Sequence, residues 1–188
     1  MACTLINVRP GANNCEEVFA GTGNKAYIAR LTAQQRAELQ YSEDKPRITF
    51  ASPTEAESIL WKEIVLKKKV NKIDYQSNPN AGGYTATATM VVDKNVDSWA
   101  VNSRTMNNTD DWVVLLSTGV QGEYYFLGDP NFDNEFSDAG TTGDAPDSDK
   151  GSTVTITAGP IKWEYLKIEG NLVPSGDGDN AGFTLNIG

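Results

Sequence analysis

The sequence predicts an all-β (mainly β) fold: an antiparallel β-sandwich or barrel with one flanking α-helix and a long projecting hairpin. Three observations carry that expectation. Thr85, Thr87, Thr89 and Val91 alternate with Tyr84, Ala86, Ala88, Met90 and Val92, a period of two with small side chains on both faces. Ser152–Ala158 repeats the pattern, setting Val154, Ile156 and Ala158 between threonines. Between these two stretches, Val96, Trp99, Ala100 and Met106 recur at roughly helical spacing, with Asp93 offering an N-cap oxygen and Asn107-Asn108 closing the helix.

The remaining elements follow in chain order. Residues 1–25 read as an irregular N-terminal arm rich in turn formers, and Gly21-Thr22-Gly23 reads as a tight turn, because it lacks the later glycine and lysine of a phosphate loop. Ala26–Leu31 suits a strand. Thr32–Gln40 suits a short helix capped by Thr32, and Arg47–Phe50 a short strand broken by Ser52-Pro53. Glu55–Asp74 carries two signals. Ala56, Ile59, Leu60 and Trp61 fit a helical turn capped by Thr54, while rising β-branched content favours a long strand from Leu60 to Tyr75. That strand would pair with Tyr84–Val92 across the turn Asn78–Gly83, so that residues 60–92 form the long hairpin. Trp112–Leu116 and Tyr124–Leu127 are apolar strand runs joined through Gly119 and Gly122. Ile161–Ile168 alternates Ile161, Trp163 and Tyr165 with Lys162, Glu164 and Leu166, and Phe183, Leu185 and Ile187 mark a final strand after the turn Asp177–Asn180.

Composition bounds the chemistry. A chain of 188 residues suffices for one buried core and is short for two, so a single domain spanning 1–188 is expected. No apolar stretch is long enough to span a bilayer, and the opening Met1-Ala2-Cys3-Thr4-Leu5 lacks the basic and apolar regions of a signal peptide. The formal net charge is −9, with no histidine. That charge argues against a protein that tracks phosphates, and the missing histidine removes the commonest general base and metal ligand. Without it no serine or cysteine has a nucleophile–base partner of the usual kind, and the acids cluster in turns rather than around a cleft, so the chain is not expected to be an enzyme. Cys3 and Cys15 either bridge or stand as free thiols in a reducing compartment, and no cofactor is expected.

Charge is distributed unevenly. Lys62, Lys67, Lys68, Lys69 and Lys72 make the centre of the hairpin arm basic, with Glu63 the only acid between Lys62 and Lys72. Asp129, Asp133, Glu135, Asp138, Asp144, Asp147 and Asp149 make 129–150 an acidic loop in which Lys150 is the only base. Asp147-x-Asp149-x-Gly151 resembles a fragment of a calcium loop, but the third aspartate and the distant glutamate are missing. Lysines on an edge strand can simply block edge-to-edge pairing; the alternative is a docking surface for an acidic neighbour. On the second reading Lys67, Lys68, Lys69, Lys72 and the hairpin-tip residue Asn78 on one side, and Asp144, Asp147 and Asp149 on the other, are the candidate contacts between subunits.

The order of these motifs resembles the phage tail tube (major tail) proteins. It runs from a strand and short helix to Trp112-Val113-Val114-Leu115-Leu116, a glycine turn and Tyr124-Tyr125-Phe126-Leu127-Gly128. A Gly/Ser/Thr/Asp loop and Asp147-Ser148-Asp149-Lys150-Gly151-Ser152-Thr153-Val154-Thr155-Ile156 follow. Gly21–Ala29 is similar to the first strand region of such proteins, and the resemblance covers roughly 20–158. It implies a structural virion protein of the phage tail, made in the host cytoplasm, whose rings stack into a tube. Its partners would be copies of itself, other tail proteins and phage DNA passing without specific binding. The lysine-rich arm and the extension after Gly159 depart from the pattern. A head–tail connector protein is an alternative within the virion. A carbohydrate- or surface-binding β-sandwich is another, using Trp61, Trp99, Trp112 or Trp163 as stacking platforms, although Trp99 and Trp112 sit in apolar patterns that suit a core.

Overall fold

A computed structural model describes residues 25–67, 71–78, 82–93, 97–109, 111–118, 120–141, 151–177 and 181–187. Among them run β1 (Lys25–Arg30), α1 (Ala33–Ala37), β2 (Leu39–Tyr41), β3 (Ile48–Phe50), α2 (Pro53–Ser58), β4 (Lys62–Val65), β5 (Lys72–Asn78) and β6 (Gly83–Asp93). Next come α3 (Asp97–Asn107), β7 (Trp112–Ser117), β8 (Glu123–Leu127), β9 (Glu135–Thr141), β10 (Gly151–Ile161), β11 (Lys167–Glu169), β12 (Asn171–Ser175) and β13 (Gly182–Asn186). The fold is mainly β and antiparallel, with helices at its flanks. A first sheet runs β11-β8-β7-β1-β4, a second β5-β6-β10-β9, and two ribbons pair β12 with β13 and β2 with β3. Each large sheet ends in edge strands, so neither closes into a barrel.

Both sheets feed one core. Ala26, Ile28, Val114 and Leu116 come from the first, and Ala86, Ala88, Met90, Val154 and Ile156 from the second. β1 and β7 are buried on both faces, which is why their sequences read as unbroken apolar runs rather than as alternation. β6 and β10 are covered on one face only and keep a clean period of two. Gly151 opens β10 where a Cβ would meet the Val92 carbonyl oxygen at 2.7 Å, so the close approach there requires glycine. A bulge between Ala158 and Ile161, with Gly159 at φ 150°, accommodates Pro160, which has no N–H to give the ladder.

One cap fits the sequence and two do not. Thr32 and Gln35 form a capping box at α1, as the Thr32 reading required, but the helix ends at Ala37 and Leu39 already belongs to β2. At α2 the cap is Ser52 rather than Thr54, because Pro53 takes the first helical position, where its missing N–H costs nothing. Asp93 does not cap α3: it is the last residue of β6, and the helix begins only at Asp97.

Three expectations fail on topology. Leu60–Tyr75 is not one strand: β4 pairs with β1 in the first sheet, while β5 pairs with β6 in the second. Only 72–93 therefore forms the hairpin, and β6 has β10 on its other side. Ile161–Ile168 does not continue as a strand, because 162–165 bend before β11. The acidic loop of 129–150 contains a strand, β9, and opens on a buried residue.

That residue, Asp129, is 3 % exposed. Its Oδ1 accepts the N–H groups of Asn131 at 2.7 Å and Phe132 at 3.1 Å, and its Oδ2 accepts the Tyr41 hydroxyl. Arg36 of α1 donates to Asp111 at 3.0 Å and to the Phe132 carbonyl at 3.1 Å, and it pairs with Asp133 at 2.6 Å. The two groups tie α1 and β2 to the turn that launches β9.

Two outcomes check this packing. Leu115 is fully buried, so Leu115→Ala should cost about 2–5 kcal/mol in denaturant unfolding, whereas Val101→Ala, at a side chain 64 % exposed, should stay within about 0.5 kcal/mol. Burial, and then the hydrogen bond to Asp129, raise the Tyr41 hydroxyl well above its ordinary value of 10.0. The unfolded hydroxyl ionises first, so the stability tied to Tyr41 is complete below about pH 10 and drains away as pH rises through the folded value. Melting temperature followed above about pH 10 should therefore fall more steeply for the native chain than for Tyr41→Phe.

Candidate functional site

The second sheet turns one face to the core and the other outward. Ala86, Ala88, Met90 and Val92 of β6, with Ser152, Val154, Ile156 and Ala158 of β10, are buried. Period two then assigns Thr85, Thr87 and Thr89, and their partners Thr157, Thr155 and Thr153, to the outward face. The edge strands add Lys72, Asp74 and Gln76 from β5 and Glu135, Ser137 and Ala139 from β9, all exposed. Lys72 pairs with Asp74 at 2.6 Å, both side chains being about 60 % exposed. The face is thus a field of hydroxyls, with its one described cation already paired along its own strand.

Each edge of this sheet carries an unshared row of backbone groups. Neither β5 nor β9 has a second strand partner among the described residues. Because all three pairings are antiparallel, the two edge strands of a four-stranded sheet run in opposite directions. Register aligns the rows across the sheet: Lys72 lies level with Thr89, Thr155 and Ser137, and Asp74 level with Thr87, Thr157 and Glu135.

The basic stretch before β5 is fixed to this frame. The Lys67 N–H donates to the Val91 carbonyl at 2.7 Å. Asn71 clamps the corner from both sides, its Oδ1 accepting the Val91 N–H at 3.0 Å and its Nδ2 donating to the Lys67 carbonyl at 2.7 Å. Val91 is level with Thr153 and Ala139, two residues before the row Asp93, Gly151 and Thr141 at which β9 ends.

Of the candidate contact residues, Lys67 and Lys72 lie at this end of the β5 edge. Asn78 ends the same strand about 20 Å away, its carbonyl accepting the Gly82 N–H at 3.0 Å. Lys68, Lys69, Asp144, Asp147 and Asp149 lie outside the described residues, as do Cys3, Cys15 and the calcium-loop fragment. Sequence reasoning missed the β9 edge itself. The signal available for it was the alternation of Phe136 and Asp138, partly buried, with exposed Glu135, Ser137 and Ala139.

The tryptophans make poor stacking platforms. Trp61 is wholly buried and Trp99 is 5 % exposed. Trp112 is partly buried and donates its Nε1–H to Thr109 Oγ1 at 2.8 Å. Trp163, also partly buried, donates to the Ser42 carbonyl at 3.3 Å. Two clefts indent the surface: one of about 540 Å³ between α3 and the β9–β10 end of the second sheet, and one of about 470 Å³ beside β2, β3 and Glu169. Among the described residues, no helix is long and apolar enough to cross a membrane.

An exposed pair such as Lys72–Asp74 contributes little to folding. Lys72→Ala should leave the unfolding midpoint of dilute protein within about 0.5 kcal/mol of the native value, as read by urea denaturation.

Comparison with protein-family models, with curated proteins and with solved structures found no match to this chain.

Proposed function

We propose that this chain is a structural subunit that assembles with copies of itself into rings, and that the rings stack as the tail tube of a phage virion through which DNA passes. The sequence resemblance suggests the family, and one structural observation supports the assembly: a four-stranded antiparallel sheet whose edge strands run in opposite senses and, among the described residues, have no outer strand partner. Rotation about an axis along the strands brings the β9 edge of one copy beside the β5 edge of the next, and the antiparallel alternation continues. An odd number of strands would break it. Such a contact is heterologous, and it closes into a ring when the rotation divides a full turn. Repeated around the ring, it removes every free edge of this sheet.

The outward face suits a passage for DNA. Holding a duplex takes cations along one face. Here threonine hydroxyls dominate, and Lys72 is neutralised by Asp74. A chain of net charge −9 also repels phosphate at long range. Burial of Trp61 and Trp99 weakens the carbohydrate-binding alternative.

Sedimentation velocity across a concentration series, with negative-stain microscopy of the concentrated sample, tests the proposal. Rings or tubes with a regular axial repeat are expected. A chain that stays monomeric at every concentration and salt level overturns it.

A further inference from the structure

The cleft between α3 and the β9 edge contains two unmet hydrogen-bonding needs. Trp99, 5 % exposed, and Asp138, partly buried, both line it, and among the described residues the buried Trp99 Nε1–H has no acceptor and the buried Asp138 Oδ1 no donor. Buried polar atoms are nearly always satisfied, so two orphans in the walls of one cleft are unusual. Asp138 stands opposite Val154 on the core-side face of β9, turned away from the threonine face. Arg104, Asn107 and Asn108 of α3 complete the wall.

We infer that this cleft receives a lysine-bearing backbone segment of a second copy, the stretch Lys67–Lys72. The inference rests on the assembly proposed above. A basic peptide answers both needs: an ammonium or backbone N–H donates to Asp138, and a carbonyl oxygen accepts from Trp99. Amide side chains such as Asn107 and Asn108 can pair with a peptide backbone in both senses, and Arg104 donates to carbonyl oxygens. Register supplies the occupant. Asp138 is level with Val154 and Met90, and Val91, next along β6, already holds Lys67 and Asn71. When the β5 edge of one copy lies beside the β9 edge of another, the basic stretch arrives at the height of the cleft. Filling it satisfies both orphans in the assembly and leaves them unsatisfied in the free chain, so assembly is favoured at the expense of the monomer.

The test compares four proteins by sedimentation velocity for assembly and by dilute-solution melting for the fold: the native chain, Asp138→Asn, the double variant Lys68→Glu with Lys69→Glu, and the triple variant combining that pair with Asp138→Lys. Asp138→Asn, close in shape to the native side chain, should leave the melting temperature near the native value while raising the concentration needed for assembly by about tenfold or more. The lysine pair should weaken assembly similarly, and the triple variant, its charges exchanged within one chain, should recover it in large part. Native protein that assembles alongside an unaffected Asp138→Asn overturns this inference and leaves the assembly proposal standing. Loss in Asp138→Asn without loss in the lysine pair assigns the cleft to another segment and overturns it as well. Native protein that never assembles overturns both. If Asp138→Asn does not fold, the lysine pair carries the same test.

Discussion

The antiparallel ladder between β6 and β10 is the constraint on which the rest depends. It runs from Asp93 opposite Gly151 to Tyr84 opposite Ile161 and decides which side chains meet the core. A slip of one residue would bring Thr85, Thr87 and Thr89 into the core and turn Ala86, Ala88 and Met90 outward. The register is held by burial of the alanine, valine and isoleucine face, by the close contact at Gly151 and by the bulge at Gly159. Once it is set, β5 and β9 have no freedom of position: each pairs with an inner strand and presents its other edge outward.

The same ladder anchors what flanks it. Gly151 at the head of β10 lets that strand close on Val92 of β6, and Asn71 ties Lys67 to Val91 on the other flank of β6. Side-chain links elsewhere, the buried Tyr41–Asp129 bond and the more exposed pairs of Arg36 with Asp111 and Asp133, brace the turn that precedes β9.

Much of this was legible in the sequence where burial writes a pattern. β6 and β10, covered on one face, alternate; β1 and β7, covered on both, read as apolar runs; α1 announced its cap at Thr32. The failures have physical causes. Glu135–Thr141 contains one large apolar residue, Phe136, because β9 is an edge strand covered partly by α3, so acids and small residues outweighed its weak alternation. The passage from β4 to β5 carries no glycine or proline to mark the change of sheet, since the corner is made by Asn71 side-chain bonds instead. Ile161–Ile168 kept a strand-like alternation because, from a bend, Trp163 packs against the core and Tyr165 sets its ring against Tyr75 and Tyr125. The β9 edge was therefore the least visible element, while the lysines before β5 stood out.

The central claim is that β5 and β9 of different copies complete one another. Amide hydrogen exchange measured by mass spectrometry, comparing dilute monomer with concentrated protein, reads it directly. The account predicts that peptides covering 72–78 and 135–141 gain protection on assembly, while β1 and β7, already buried, change little. Assembly that leaves both edge strands exchanging as in the monomer would contradict it.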